Sequence, residues 1–211
     1  MQSPKSVNAL EELGRMRLSP SFFMRDFLYS EIANFHGMPN IPDNPDVAVA
    51  NGKKLCEGLL EPLNSTFGRL AVRSAYRSPT INEFGNQNGY NCGSNDKNFA
   101  GHIWDKPDKR GHGATACVVV PWFSDRYDAG ADWRAMAYWI HNHLPYSELQ
   151  FFPKLCAFNI TWHEQPRRAV YSFIKPAIEL AHGEPPNEAY SEWYAGFPEL
   201  ALSRSAASTV P

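Results

Sequence analysis

Apolar residues recur at helical spacing in three segments of the chain. The leucines of residues 47–67 fall on one face, and Gly68 follows at the place where a helix would end. Residues 20–35 carry phenylalanines on one face and come directly after Ser19, a residue type that caps helix N-termini. Residues 132–143 are a third periodic segment, rich in tryptophan and tyrosine. The pattern therefore predicts a helix over each of these segments.

Shorter apolar runs without helical spacing predict strands. The run over residues 114–121 is almost wholly apolar, which is typical of a buried strand. Weaker runs predict further strands at 70–74, 149–152, 158–162 and 169–174. Residues 82–97 are rich in asparagine and glycine and are expected to form a long irregular loop. Two early helices, followed by strands with one inserted helix, indicate the α+β class.

Composition limits the classes of protein to which this chain can belong. The 211 residues carry a formal net charge of −2, so we expect no strongly basic surface for nucleic acid. No apolar run approaches the roughly 20 residues that a membrane-spanning helix needs. The first residues lack an apolar core, so we expect synthesis in the cytoplasm without a signal peptide. The four cysteines form no CxxC pair and are expected to be reduced thiols.

The length of the chain suits one domain with extensions. We expect an N-terminal extension over residues 1–19, a domain over residues 20–175 and a C-terminal extension over residues 176–211. Residues 201–211 lack periodicity and are predicted to form a mobile or partner-bound tail.

Three of the seven histidines have a sequence context that suits a metal ligand. His102 and His112 lie beside glycines, and His163 follows a predicted strand. At such places an imidazole can direct one ring nitrogen at a shared metal ion. The other interpretation is a surface histidine or a hydrogen-bonded core histidine, which is the commoner state of a single histidine. Both interpretations stay open, because the sequence does not show whether the three rings converge.

Two short motifs, in a fixed order with the helices and strands, carry a resemblance to a known family. A Ser-x-Tyr-Arg-Ser motif begins at Ser74, after the second predicted helix, and a Trp-His pair ends at His163. Over about residues 20–170 the chain resembles the zinc D-alanyl-D-alanine carboxypeptidases and related peptidoglycan peptidases, which include some bacteriophage endolysins. The resemblance implies a hedgehog-type fold, in which an N-terminal helix pair packs on a small, mostly antiparallel sheet. It also implies that Arg77, with Ser74, binds a substrate carboxylate, although this arginine could equally fix the following loop.

The resemblance further implies a zinc site in which one ligand has changed. The family's metal motif, Ser-x-His-x-x-Gly-x-Ala-x-Asp, places its histidine at His102 and its aspartate at Cys117, and the family's last ligand falls at His163. A thiolate binds zinc well, so these three residues could hold one ion with an open position. Cys117 could instead be a small buried apolar residue. The insertion after His102 supplies the alternative ligands Asp105 and His112.

The catalytic glutamate of the family has no direct counterpart in this chain. It lies three residues before the last histidine, where this chain has Ile160, and a zinc-bound water needs a base within hydrogen-bonding reach. Glu164 and Glu148 are the remaining carboxylates for this role, but Glu164 is expected on the strand face opposite His163 and Glu148 is expected in a loop. The first hypothesis is still a zinc peptidase that cuts bacterial cell-wall peptide.

The second hypothesis is a catalytically degenerate module with the same fold. The lost glutamate and the cysteine at the aspartate position motivate it, because function lies in the site rather than in the fold. Such a module would be a structural or binding component, for instance of a phage virion, and its partners would be protein neighbours in an assembly. Neither hypothesis involves nucleic acid or a membrane.

Overall fold

The computed structural model of this protein describes residues 2–178 and 180–201. Within them, helices and one sheet form an α+β fold, which confirms the predicted class. The helices are α1 (Val7–Gly14), α2 (Glu31–Phe35), α3 (Pro45–Leu55), α4 (Glu61–Phe67), α5 (Pro79–Gln87), α6 (Asn95–Asn98), α7 (Pro121–Asp128) and α8 (Trp133–His143). The strands are β1 (Ala71–Ser74), β2 (Gly113–Val119), β3 (Glu148–Phe151), β4 (Phe158–His163) and β5 (Ala169–Ser172).

One long helical segment runs from α3 into α4, as the leucine periodicity predicts. The Asn44 side chain caps its start by accepting a hydrogen bond from the Val47 amide. A π-helical turn, Cys56–Leu60, joins the two helices, and Gly68 ends the segment with a φ of 87°. The buried leucines of this segment belong to the main core, and α3 and the π-helical turn both contact the sheet.

The five strands form one sheet in the order β1-β2-β4-β3-β5. Three of the pairings are antiparallel, and β5 runs parallel to β3. The strands predicted from apolar runs are therefore confirmed, with β2 at the position of the strongest run. Helix α8 is confirmed as well, and the Asp132 carboxylate caps it by accepting from the Arg134 amide.

The two faces of this sheet differ in polarity. On the face that we call the inner face, Ala116 and Val118 of β2 and Ile160 of β4 lie fully buried in the main core. On the outer face, the same two strands present polar side chains, among them Thr115 and Thr161. The helical segment covers the inner face, so the outer face is the surface on which a site can form.

The segment predicted as one helix over residues 20–35 is divided in two, so that prediction was wrong. A 3-10 helix, Met24–Phe27, begins where the Asp26 carboxylate accepts from the Phe23 amide. Helix α2 starts separately, with the hydroxyl of Ser30 as its cap. Side chains of Ser and Asp that bond to nearby backbone amides compete with a continuous helix, and here each of them caps the start of a separate short helix.

The asparagine-rich stretch over residues 82–97 is also not an irregular loop. It contains most of α5, which begins at Pro79 behind the cap Ser78, and it contains part of α6. Its asparagines bond to the local backbone: Asn86, for example, donates to the carbonyl oxygen of Cys92 at 2.7 Å. Composition alone could not distinguish asparagines that bond to the backbone of short helices from asparagines in an irregular loop.

Both chain extensions pack against the central domain. Leu13 and Leu18 of the N-terminal extension are buried in the main core. In the C-terminal extension, the ring of Phe197 lies 5.1 Å from Trp122 and 5.9 Å from Phe67, measured between ring centroids. The predicted tail lies outside the described residues, apart from Ala201. Among the helices that the structure describes, none has the length and apolarity to cross a membrane.

Candidate functional site

Polar side chains of three neighbouring strands form two rows across the outer face of the sheet. The first, the threonine row, consists of Thr115, Thr161 and Glu148 on β2, β4 and β3. The second, the amide row, consists of Cys117, Asn159 and Gln150 on the same strands. The two threonine hydroxyls lie 2.8 Å apart, and the Asn159 amide donates to the Gln150 oxygen at 3.1 Å. The rows therefore form a hydrogen-bonded polar surface on an otherwise apolar sheet.

Three adjoining cavities lie over these rows. The largest, of about 950 Å³, borders the amide row, and two smaller ones, of about 360 and 350 Å³, border the threonine row. Lys97 of α6 lines all three cavities. We therefore treat them as one groove, the sheet groove, which is large enough for a small-molecule or peptide ligand.

His102 lies at the wall of the sheet groove as a neutral imidazole. Its Nδ1 is 2.6 Å from the carbonyl oxygen of Ala75, which can only accept, so Nδ1 carries the proton and Nε2 has a free lone pair. Burial lowers the pKa of His102 to about 3, and the nearby charge of Arg77 acts in the same direction. The ring can therefore accept a hydrogen bond or ligate a metal through Nε2, and it is too weak a base to act as a proton acceptor near neutral pH.

His163, at the end of β4, uses both ring nitrogens in hydrogen bonds within the protein. The amide of Gln165 donates to Nδ1 at 2.9 Å, so the proton lies on Nε2, which contacts the Asp108 carboxylate at 3.1 Å. Burial raises the pKa of Asp108, but bonds from the Arg110 amide and His163 outweigh it and leave the pKa below its ordinary value. In this arrangement neither nitrogen of His163 has a free lone pair for a metal ion.

The structure does not bring the three expected zinc ligands together. Gly113 is the residue of β2 that lies opposite His163, and Cys117 comes four residues later, opposite Asn159. Four residues of strand span about 13 Å, whereas zinc ligand atoms lie about 2.0–2.3 Å from the ion. Among residues 2–178 and 180–201, no group of three or more His, Cys, Asp or Glu side chains could hold a metal ion. His102 and Cys117 do share the largest cavity.

Cys117 itself has the properties of a small buried residue. It is 8 % exposed, and it packs with Val119 and Ala157 in a separate apolar cluster. Burial raises the pKa of its thiol to about 11, so the thiolate that zinc requires is disfavoured in the absence of a metal.

The two alternative ligands, Asp105 and His112, have structural contacts away from the groove. The carboxylate of Asp105 is buried and accepts from the Asn44 amide at 2.9 Å and from the Tyr76 hydroxyl at 3.2 Å. The Nδ1 of His112 lies 3.3 Å from the side-chain amide of Asn51 on α3. Both residues therefore connect the segment that follows His102 to α3 or to the cap residue at its start.

The two carboxylates considered as catalytic bases have different locations. Glu164 accepts from the His112 amide at 2.8 Å, and it is not among the residues that line the groove. Glu148 belongs to β3 rather than to a loop, and it lines the same cavity as His163. Its carboxylate lies 3.3 Å from Arg167 and 3.6 Å from Arg110, so it forms ion pairs with two arginines.

Arg77 and Ser74, for which the resemblance implies a role in substrate binding, both line the largest cavity of the sheet groove. The guanidinium of Arg77 donates to the sulfur of Cys92 at 2.6 Å, and its Nε is buried without a hydrogen-bond partner among the described residues. Its backbone amide donates to the His102 carbonyl oxygen. Arg77 thus contacts the following loop and also faces the groove, so the two roles considered for it are compatible.

The residues that sequence reasoning missed are the uncharged groups of the groove floor. They are Thr115, Gln150, Asn159 and Thr161. A signal for them exists: polar residues alternate with apolar ones along β4, which reads Asn-x-Thr-x-His from Asn159. Comparison of the chain with protein-family models, with curated proteins and with solved structures finds no match. The functional assignment therefore depends on the geometry of the groove and on the motifs.

Proposed function

We propose that this chain is a non-catalytic binding module with a peptidase-like fold, which holds a cell-wall peptide in the sheet groove without hydrolysing it. The resemblance supports the choice of ligand, and the amide and threonine rows support the mode of binding. Such rows offer donors and acceptors to the backbone of an extended peptide, as polar groups in ligand sites usually do. The module would act as a binding component of an assembly, for instance a phage virion.

The observation that carries this proposal is the pairing of β2 with β4. It separates Cys117 from His163 by about 13 Å along the sheet, so the two cannot ligate one ion. The same pairing places Ile160, at the position of the family's glutamate, in the core and away from the groove. A chain with this fold can thus have a ligand-binding surface without the residues that hydrolysis requires.

A second candidate, a zinc-dependent peptidoglycan peptidase, has one observation in its favour. His163, Asp108 and Glu148 line the same cavity of about 350 Å³ and are chemically able to bind zinc. For that, His163 would have to move its proton from Nε2, which the Gln165 amide opposes. Arg110 and Arg167 would also have to leave Glu148. The described arrangement therefore does not fit the metal.

The test measures binding and hydrolysis in the same sample. The full chain is titrated calorimetrically with synthetic L-Ala-γ-D-Glu-L-Lys-D-Ala-D-Ala, with and without added zinc, and free D-alanine is then quantified. We expect binding without D-alanine release, and weaker binding by Asn159→Ala. Asn34→Ala, at an exposed position away from the groove, is the matched control. Zinc-dependent release of D-alanine, or no binding, would overturn the proposal.

A further inference from the structure

The largest cavity of the sheet groove has an excess of positive charge. Among the described residues that line it, the charged side chains are Arg73, Arg77, Lys97 and Glu31. Three cations thus face one carboxylate, although the chain as a whole has a formal net charge of −2. Such a local field in a concave site concentrates anions.

The three cations of this cavity form no ion pair at 4.0 Å or less with a carboxylate among the described residues. Within residues 2–178 and 180–201, four arginines form ion pairs at 4.0 Å or less; they are Arg15, Arg110, Arg134 and Arg167. Arg73, Arg77 and Lys97 are not among them, and the contact found for the guanidinium of Arg77 is with a thiol sulfur. A cation left unpaired at the wall of a cavity keeps its capacity to bind an anion from solution.

Lys97 has a position that distinguishes it from an ordinary surface lysine. It lies on α6, directly before the segment that carries His102, and it lines the cavities over both the threonine row and the amide row. Arg73 comes instead from the edge strand β1, and Arg77 follows that strand. The charges therefore stand at separate points of the groove wall and are able to contact separate groups of one ligand.

Aromatic rings also line this cavity. The rings of Phe152 and Phe173 are stacked, with centroids 5.6 Å apart, and Tyr29 lies on the same cavity. Phe173 is 65 % exposed and Tyr29 is 55 % exposed. A ligand that fits this lining has acidic groups beside the cations and an apolar part beside these rings.

We infer that the largest cavity of the sheet groove is specific for an acidic extended peptide with at least two carboxylates, which Lys97, Arg73 and Arg77 bind at separate points. The inference rests on the proposed function and names the ligand class of the same groove. The resemblance implies that one arginine binds one substrate carboxylate. The three cations of this cavity fit a ligand that carries more negative charge than one carboxylate. Uncharged floor groups bind the ligand backbone, and the cations select among ligands by charge.

The test uses one peptide in three charge forms. The full chain is titrated calorimetrically with N-acetyl-L-Ala-γ-D-Glu-L-Lys-D-Ala carrying both carboxylates, with the glutamate carboxylate amidated, and with both carboxylates amidated. Removing a charge-assisted contact at a partly exposed site weakens binding severalfold, so we expect about three- to tenfold weaker binding at each amidation. The preference should also decrease as salt is added.

Substitutions of single cations test which side chains cause the preference for the doubly charged peptide. Lys97→Met and Arg73→Gln should each reduce the ratio between the affinities for the doubly charged and the doubly amidated peptide. Lys54→Met, at an exposed position on α3, is the matched control and should keep the full preference. Equal binding of the three forms would overturn the inference and leave the proposed function standing. Failure of all three forms to bind would overturn both.

Discussion

The inner and outer faces of the sheet come from the same strands and differ in almost every property. On the inner face, Ile160 and Phe158 are fully buried among core residues. On the outer face, Asn159 and Thr161 are half-buried and border the sheet groove. Successive residues of a strand alternate between the two faces of the sheet. A shift of one residue along the strand therefore changes whether a side chain packs in the core and stabilises the fold or faces the groove and contacts a ligand.

This comparison bears directly on Ile160, the position at which the resemblance would require a catalytic glutamate. A residue three positions before His163 lies on the opposite face of β4 when the strand is regular, and Ile160 is indeed in the core. A glutamate at this position would be buried and not in the groove.

The largest expected effect follows from placing the same charge on each face of β4. Ile160→Glu buries a carboxylate without a partner, and we expect it to lower the free energy of unfolding by about 4 kcal/mol or more. Asn159→Glu places the carboxylate one residue away, facing the groove, and should change stability by about 1 kcal/mol or less. Urea unfolding of both variants measures this difference. Equal effects would contradict the assignment of the two faces.

A smaller loss of stability is expected from substitution of Asp105, whose buried carboxylate has structural contacts away from the groove. Asp105→Ala leaves the Asn44 amide and the buried Tyr76 hydroxyl without their acceptor, so we expect a loss of about 3 kcal/mol in unfolding free energy. Peptide binding by the folded variant should be unchanged. The exposed Asp125→Ala is a control that should stay within about 0.5 kcal/mol of the wild type. Lost zinc or ligand binding without loss of stability would instead assign Asp105 to the site.

The last effect, and the smallest when it is expressed per pH unit, is a pH dependence that His102 gives to the groove wall. Its folded-state pKa of about 3 lies below the unfolded value of about 6.5, so between these pH values the unfolded chain binds one more proton. Stability should therefore fall as the pH falls through this window, by about 1.4 kcal/mol per pH unit from this group. His102→Asn, which keeps a donor for Ala75, should reduce the slope by that amount between pH 4 and 6. An unchanged slope would mean that His102 is not a buried neutral ring.

The elements with strong local signals could be predicted from the sequence. The α3–α4 segment has a leucine stripe and a glycine at its end, and β2 is a run of apolar residues, so local pattern and tertiary position agree. The segment over residues 20–35 could not be predicted, because capping by Asp26 and Ser30 outweighs its apolar periodicity.

The candidate site could be predicted only in part. His102 and Arg77, which the motifs single out, lie at the groove, whereas Glu148 lies there on β3 and not in the expected loop. The sequence could not show whether the expected zinc ligands lie close together, because the pairing of β2 with β4 is a contact between distant segments. That register alone determines whether Cys117 lies beside His163, and no local pattern encodes it.

The most direct test of the central claim is the zinc content of the purified chain after equilibration with one equivalent of zinc and gel filtration. Elemental analysis would compare the wild type with Cys117→Ala and His163→Ala. We predict no stoichiometric zinc in any of the three proteins, because the two side chains are about 13 Å apart along the sheet. About one zinc per wild-type chain, lost in both variants, would show that the two residues share a metal ion and would contradict the account.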